Sequence, residues 1–450
     1  MTLRDTARFL VRGILGLAAA SVLLPACGAS WSQHSLPRGM YASKKKIARA
    51  GPAPVRATLQ PSATIAAAPL GFADPSPFYL GARYSFLSLD FLDENRLLFT
   101  FRVPGLVHRT GRSEESEGER KIRAVVLHVP DGAIEAETVW TLHDHERYLY
   151  MLGDGKFLLR DENTLQIGDA SLQLKPYLQF PGPVLWVGMD PSSRYLVTGS
   201  SEPAAHASKP GEVQSPGAAQ ASMVSDAENA PEQPDLIVRI LRRDDGKVML
   251  VSHVKSAVRL PINGEGYLEL LRGKSAGSWT LNFNYFTGGS TIVGTVASVC
   301  APELEFVSPR EVLATGCNSG GAATVTAVGL NGKRLWEDPA AGPSVWPLMV
   351  TNTAGTRLAR VTLLANHGVS NMRSLEPDDI RGQDVEVLDA ATGKQVLRAA
   401  ASPIFDAGGN VAISPTGRRV VIVMDGQIRI FDLPEPAALP DLGVAVGSSR

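Results

Sequence analysis

The chain has 450 residues, 44% of them apolar, with 44 basic and 45 acidic side chains and a net charge of −1. A substantial core can be buried, in one large domain or roughly two to three ordinary ones. The even balance excludes the overall basic excess of a nucleic-acid binder. The 43 Gly and 31 Pro, with few long helical periods, point to a turn-rich, all-β chain.

The first segment, "MTLRDTARFLVRGILGLAAASVLLPACGAS", places Arg4, Arg8 and Arg12 before an apolar run from Ile14 to Leu24, followed by Cys27. A basic start, a short apolar stretch and small residues at a cut are the layout of an export signal. The run is short for a membrane span. Leu24-Pro25-Ala26-Cys27 resembles the bacterial lipobox, although Pro25 departs from the small or hydroxyl residue usual there. The resemblance implies a signal peptide at 1–26 and lipidation of Cys27, and so an envelope lipoprotein at the outer membrane or periplasmic face, held to the membrane by its lipid. A cleaved soluble chain and an uncleaved anchor are the alternatives. Residues 27–77 are rich in Ala, Ser, Pro and Lys without apolar period and read as a flexible tether, with Lys44-Lys45-Lys46 a solvated run.

From there two signatures alternate. One is an apolar strand, a tight polar turn and another apolar strand, as in "LSLDFLDENRLLFTF", "VLWVGMDPSSRYLVTGS", "LMVTNTAGTRLARVTL" and "VAISPTGRRVVIVMD". The other is a hairpin around a Gly, as in "RAVVLHVPDGAIEAETVW", "LIVRILRRDDGKVMLVS", "TAVGLNGKRLWED" and "VEVLDAATGKQVLRA". Asp-Gly, Asn-Gly and Thr-Gly supply the positive-φ positions that tight hairpins need. Together the signatures make a four-stranded antiparallel unit at a spacing of about 40 to 60 residues, the length of a propeller blade. Seven units follow, at 87–140, 146–178, 184–254, 259–298, 302–338, 345–400 and 408–433, the second and fourth being the least regular. The expected fold is a single β-propeller over 78–434, with eight blades as the alternative count and 435–450 as a tail. The last unit lacks a fourth strand, and "PFYLGARYSF" (77–86) is the expected donor, closing the ring and removing a free edge. Polar insertions interrupt the pattern at 108–121, 200–235 and 367–384; the composition of 200–235 predicts disorder.

On these residues the chain resembles the quinoprotein-like and Trp-Asp-like propeller superfamily of bacteria. "VEVLDAATGKQVLRA" and "AVGLNGKRLWED" are similar to the quinoprotein strand-turn-strand, and "AISPTGRRVVIV" and "GMDPSSRYLVTG" to the Trp-Asp-type turn. The resemblance covers about residues 79–433 and includes no quinone-binding set, so it implies a fold and no cofactor.

Candidate chemistry is sparse. "HDHE" puts His143 and His145 on one face of an extended segment, where they could share a metal, but no third ligand is visible and a solvated loop between blades is the plainer reading. "GKSAG" (273–277) matches a nucleophile elbow, but a strand follows it where the elbow needs a helix, so it reads as a hairpin turn. Cys300 and Cys317 flank a hairpin expected to turn at Ser308-Pro309, which would set them opposite each other as a disulfide in an oxidising compartment. Trp140, Trp186, Trp279, Trp336 and Trp346 fall at strand edges and are expected to pack between blades. The expected function is a monomeric, non-enzymatic scaffold with a protein or peptide partner on one ring face. An enzyme or small-ligand binder using the central channel is the alternative.

Overall fold

A computed structural model describes residues 57–73, 87–103, 119–143, 147–202, 235–254, 259–319, 323–339, 347–366, 379–404 and 409–438. The strand β1 (Ala63–Ala66) comes first and belongs to the last blade. Blade 1 is β2 (Leu87–Phe91), β3 (Arg96–Arg102), β4 (Arg120–His128) and β5 (Ile134–Leu142). Blade 2 is β6 (Leu149–Gly153), β7 (Lys156–Asp161), β8 (Thr164–Asp169) and β9 (Lys175–Gln179), and blade 3 is β10 (Val184–Met189), β11 (Tyr195–Glu202), β12 (Asp235–Arg242) and β13 (Val248–Val254). Blade 4 contains β14 (Gly266–Arg272), β15 (Ser278–Tyr285) and β16 (Ser290–Ala297). Blade 5 is β17 (Glu303–Ser308), β18 (Glu311–Cys317), β19 (Ala323–Gly329) and β20 (Arg334–Pro339); blade 6 is β21 (Leu348–Thr351), β22 (Arg357–Ala365), β23 (Ile380–Asp389) and β24 (Gln395–Ala401). Blade 7 is β25 (Val411–Ile413), β26 (Arg419–Met424) and β27 (Gln427–Asp432), with β1 as its fourth strand. Every pairing is antiparallel, and the seven-blade, all-β propeller expected from the repeats is the observed fold.

Blade 4 carries its irregularity at the first strand. Residues 259–263 run beside β14, held by a single Ile262–Tyr267 bridge and by the Leu268 N–H donating to Pro261 O at 2.9 Å. That segment stands where the other blades have a full first strand.

The two sequence signatures are two hairpins. In the first, the polar residue opening the turn folds its side chain back onto the strand that leaves it. Asp190 Oδ1 accepts the Tyr195 N–H at 2.7 Å, Asn352 Oδ1 accepts that of Arg357 at 2.8 Å, and Ser414 Oγ accepts that of Arg419 at 3.1 Å. Such side-chain turns explain why Asp, Asn and Ser recur there. The second strand of each hairpin reads as an unbroken apolar run because both blade faces are covered: β18 is buried from Glu311 to Gly316 and β26 from Val420 to Met424.

In the second hairpin a Gly adopts positive φ, and a bulge sits nearby in the β12–β13, β19–β20, β23–β24 and β4–β5 pairings. These glycines also press on the preceding blade. A Cβ on Gly393 (φ +68°) would come within 2.7 Å of the Trp336 ring on β20, and one on Gly132 (φ +76°) within 2.9 Å of Ile65 on β1. Gly246 and Gly332 meet Leu178 of β9 and Val293 of β16 in the same way. Ile65 therefore occupies the place that fourth-strand residues hold elsewhere.

Among the described residues seven buried clusters, one per pair of successive blades, make the ring. Blades 1 and 2 meet at Leu98, Trp140, Tyr148 and Phe157, and blades 5 and 6 at Leu313, Trp336, Leu358 and Leu388. The ring shuts at a cluster joining Leu89, Phe99 and Phe101 of blade 1 to Val421, Ile428 and Ile430 of blade 7, with Ile65, Leu70 and Phe72 beside them.

That closure corrects the expected one. The strand completing blade 7 is β1, in register Ala63 with Ile430 through Ala66 with Gln427. It lies inside the segment read as tether, so 27–77 is not a tether throughout. Residues 57–62 also dock: the Thr58 N–H donates to Arg398 O at 2.9 Å, and Leu59 packs against the cluster between blades 6 and 7. The tether reading overlooked them because four residues of strand carry too little apolar period to stand out among Ala, Pro and Ser. "PFYLGARYSF" (77–86) falls wholly outside the described residues.

The disulfide is present but differently set. Cys300 and Cys317 are bonded with Cα atoms 5.7 Å apart, yet they are not opposed in the ladder, which pairs Glu303 with Thr315. Cys300 precedes β17, and the hairpin turns at Pro309-Arg310 after a bulge between Phe306 and Ser308. Ser298 holds both ends, its Oγ donating to Cys300 O at 2.7 Å and accepting the Cys317 N–H at 2.9 Å.

Candidate functional site

The first strands lie around the ring axis. Each of β2, β6, β10, β17, β21 and β25 ends its sheet, while the opposite edge strands such as β5, β9 and β13 are largely exposed. At the closure, β25 lies beside both β2 and β21. Most first-strand residues are apolar, and only a few are charged. Ser88 and Asp90 alternate with buried Leu87, Leu89 and Phe91 on β2, Glu303 and Glu305 alternate on β17, Arg147 precedes β6, and Arg259 opens the irregular first segment of blade 4.

These side chains act on one another across blades. Burial raises the Asp90 carboxyl, opposed by the Ser88 Oγ, which donates to Asp90 Oδ2 at 2.5 Å, and by Arg147. Glu305 is pushed up to about 7, first by the protein that surrounds it, with Arg147 and Arg259 opposing and Glu303 adding to the rise. Arg147 thus acts on carboxylates of blades 1 and 5 from blade 2, which places all three near the axis. Its guanidinium lies 4.9 Å from the centre of the Tyr150 ring, and its Nε donates to Leu149 O at 3.2 Å. Glu305 is open to solvent yet desolvated by protein around it, as a group projecting into a narrow water-filled channel would be.

A carboxyl titrating near neutrality, flanked by guanidinium groups, can hold a charged ligand or move a proton. A second raised carboxyl, Glu311, lies elsewhere. It is 1% exposed at the start of β18, neither oxygen has a hydrogen-bond partner among the described residues, and burial and Asp389 push it up to about 7. Asp389 is occupied by Arg357 at 2.8 Å and by the Ala437 N–H at 2.8 Å, so that corner ties the segment after β27 to blade 6.

The sites expected from sequence fall apart from this cluster. His143 is exposed, and its Nδ1 and backbone N–H engage Asp161 at 2.8 and 2.6 Å, which raises its pKa. His145 lies outside the described residues, among which no group of three or more His, Cys, Asp or Glu could hold a metal. "GKSAG" is the turn between β14 and β15, with the Gly273 N–H donating to Ser278 O at 2.8 Å. Trp336 and Trp140 pack between blades as expected, and Trp346 is not described. Cys27 also lies outside the described residues, and no described helix is long and apolar enough to cross a membrane. The axial charges escaped the sequence reading because they come from four blades. Their only signal is a charge interrupting a first-strand run, as in "LSLDF" and "ELEFVS".

No family model and no curated protein matches the chain. Among solved structures, acylaminoacyl peptidase of Pyrococcus horikoshii is 10% identical with a TM-score of 0.44, over 80% of this chain and 53% of that one. The β-propeller domain of the Trilobed protease from Pyrococcus furiosus is 10% identical with a TM-score of 0.42, over 82% and 99%. The WD40 domain of Toxoplasma gondii coronin is 11% identical with a TM-score of 0.41, over 85% and 87%. The chain spans about half the length of the peptidase chains it matches.

Proposed function

We propose that this chain is a non-enzymatic binding propeller of the quinoprotein and Trp-Asp kind, held at the bacterial envelope by a lipidated Cys27, which engages a protein or peptide at its axis. The observation that carries this is that Arg147 of blade 2 acts on Asp90 of blade 1 and on Glu305 of blade 5, which Arg259 of blade 4 also reaches. Charge gathered at one place from distant parts of the chain serves recognition better than stability, since ion pairs at solvent contribute little to folding. Capture from detergent-solubilised envelope tests it, using the full chain and a variant carrying Arg147→Gln and Glu305→Gln. The wild type should retain a partner that the variant loses; recovery of nothing, or of the same partner by both, refutes the reading.

The raised carboxyl of Glu305 also favours a second reading, a small-ligand binder or an enzyme using the same channel. Turnover or binding of a small molecule by the channel, without a protein partner, would decide for it.

A further inference from the structure

Of the two histidines in "HDHE", His143 lies within the described residues, and two carboxylates flank its ring. His143 follows β5 directly and Glu119 precedes β4. Arg120 is paired with Leu142 in that ladder, so Glu119 and His143 are the next neighbours across it. Asp161 ends β7 of blade 2 and holds the ring from its other side. Its Oδ1 accepts the His143 backbone N–H at 2.6 Å, and its Oδ2 lies 2.8 Å from Nδ1. Glu119 Oε1 stands 3.5 Å from Nε2, the second nitrogen of the ring.

This arrangement fixes what the ring offers. An ionised carboxylate only accepts, so Nδ1 carries the proton given to Asp161, and the neutral ring turns the Nε2 lone pair toward Glu119. A carboxylate on the far nitrogen is the usual support of a metal-binding histidine: it sets the tautomer, orients the ring and makes the ligating nitrogen more basic. The 3.5 Å between Nε2 and Glu119 exceeds a charge-assisted hydrogen bond, which runs about 2.7–2.9 Å. It matches two ligands of one tetrahedral zinc ion, which stand about 3.4 Å apart when each bond is about 2.1 Å. Asp161 is behind the ring, so two side chains among the described residues face the ion. Those two are 45% and 32% exposed, which lets water fill the remaining positions.

We infer that His143 Nε2 and Glu119 bind a divalent ion of the zinc class at the end of the outer hairpin of blade 1, with Asp161 as the residue that positions the ring. Imidazole beside carboxylate suits zinc, copper or nickel rather than magnesium or calcium. The ion would tie the residue that enters β4 to the one that leaves β5, independently of anything held at the axis.

Calorimetric titration of the full chain with zinc chloride tests this, with magnesium chloride as the contrast. We expect one zinc ion per chain, removed by EDTA, and no heat from magnesium, which favours oxygen ligands alone. His143→Ala should abolish binding, Glu119→Gln should weaken it by about tenfold or more, and Asp161→Asn by about 10–100-fold. His128→Ala should leave it unchanged, since His128 meets Asp131 at 2.8 Å in the same way but without a second carboxylate among the described residues. Zinc should also raise the urea midpoint of the wild type and not that of His143→Ala, a difference that a purely structural role would not produce. No zinc heat from the wild-type chain would show that the three side chains only pair around a protonated ring, and would overturn the inference. Zinc bound as tightly after His143→Ala or Glu119→Gln, or magnesium bound as well as zinc, would overturn it too. The wild-type contrast between the two metals needs no variant, so a misfolded His143→Ala protein would not spare the inference.

Discussion

Removing the strand that shuts the ring should unfold more than one blade. In blade 7, β1 pairs with β27, and the residues around it enter the core joining blades 7 and 1: Ile65 is 8%, Leu70 5% and Phe72 4% exposed. Phe72 packs edge-on against Phe99 and Phe101, with ring centres 5.5 Å from each. Truncating one such aliphatic side chain to Ala costs about 2–5 kcal/mol, and a Phe about 3–5 kcal/mol. The three lost together approach roughly 10 kcal/mol, within the range of a whole domain's stability. The deletion also bares the β27 edge for association. We therefore expect a chain beginning at residue 57, which keeps β1, to unfold in urea in one cooperative transition. A chain beginning at residue 74 should aggregate or lose its cooperative transition. Ile65→Ala should fall between them, with a loss of about 2–4 kcal/mol. An unchanged midpoint for the chain beginning at residue 74 would show that β1 is not the closure.

Other perturbations follow from the same contacts. Glu311 is buried with its carboxyl raised from 4.5 to about 7, so its neutral form stabilises the fold below the unfolded value, and that contribution fades as pH rises through about 7. Glu311→Gln should leave stability unchanged at pH 5 and raise it above pH 7, by up to about 3 kcal/mol, in urea melts at both pH values; equal midpoints at pH 8.5 would count against the unpaired carboxylate. Gly393→Ala should cost about 1 kcal/mol or more, from positive φ and from the Trp336 ring, and in a double-mutant cycle with Trp336→Ala the losses should not add. Cys27→Ser should move the protein from the membrane fraction to the soluble one; continued sedimentation with membranes would exclude the lipid anchor.

The architecture was legible because each repeat writes its own turn chemistry. Asp190, Asn352 and Ser414 each tie down the N–H that restarts the chain, and the positive-φ glycines Gly132, Gly246, Gly332 and Gly393 mark the outer hairpins. Both signals are local, so one sequence suffices to count blades. Closure is not local. Residues 63–66 gain their meaning only from Ile428 and Ile430, far away in sequence, and nothing in "ATIA" announces a strand. The cysteine pair was legible as a pair, but its geometry depends on a bulge at Phe306 and on Ser298 bridging the two backbones. The axial charges were hidden for the same reason as the closure: Asp90 and Glu305 are more than 200 residues apart, and Arg147 acts on both only once the ring is formed.

The most direct test of binding at the axis is photo-crosslinking from a benzoylphenylalanine placed at Leu185, on the inner strand of blade 3, against one at Val251, exposed on the outer strand of the same blade. With the full chain in solubilised envelope, we expect a discrete adduct from position 185 and none from 251. An adduct from 251 alone would place recognition on the rim and contradict the axial site.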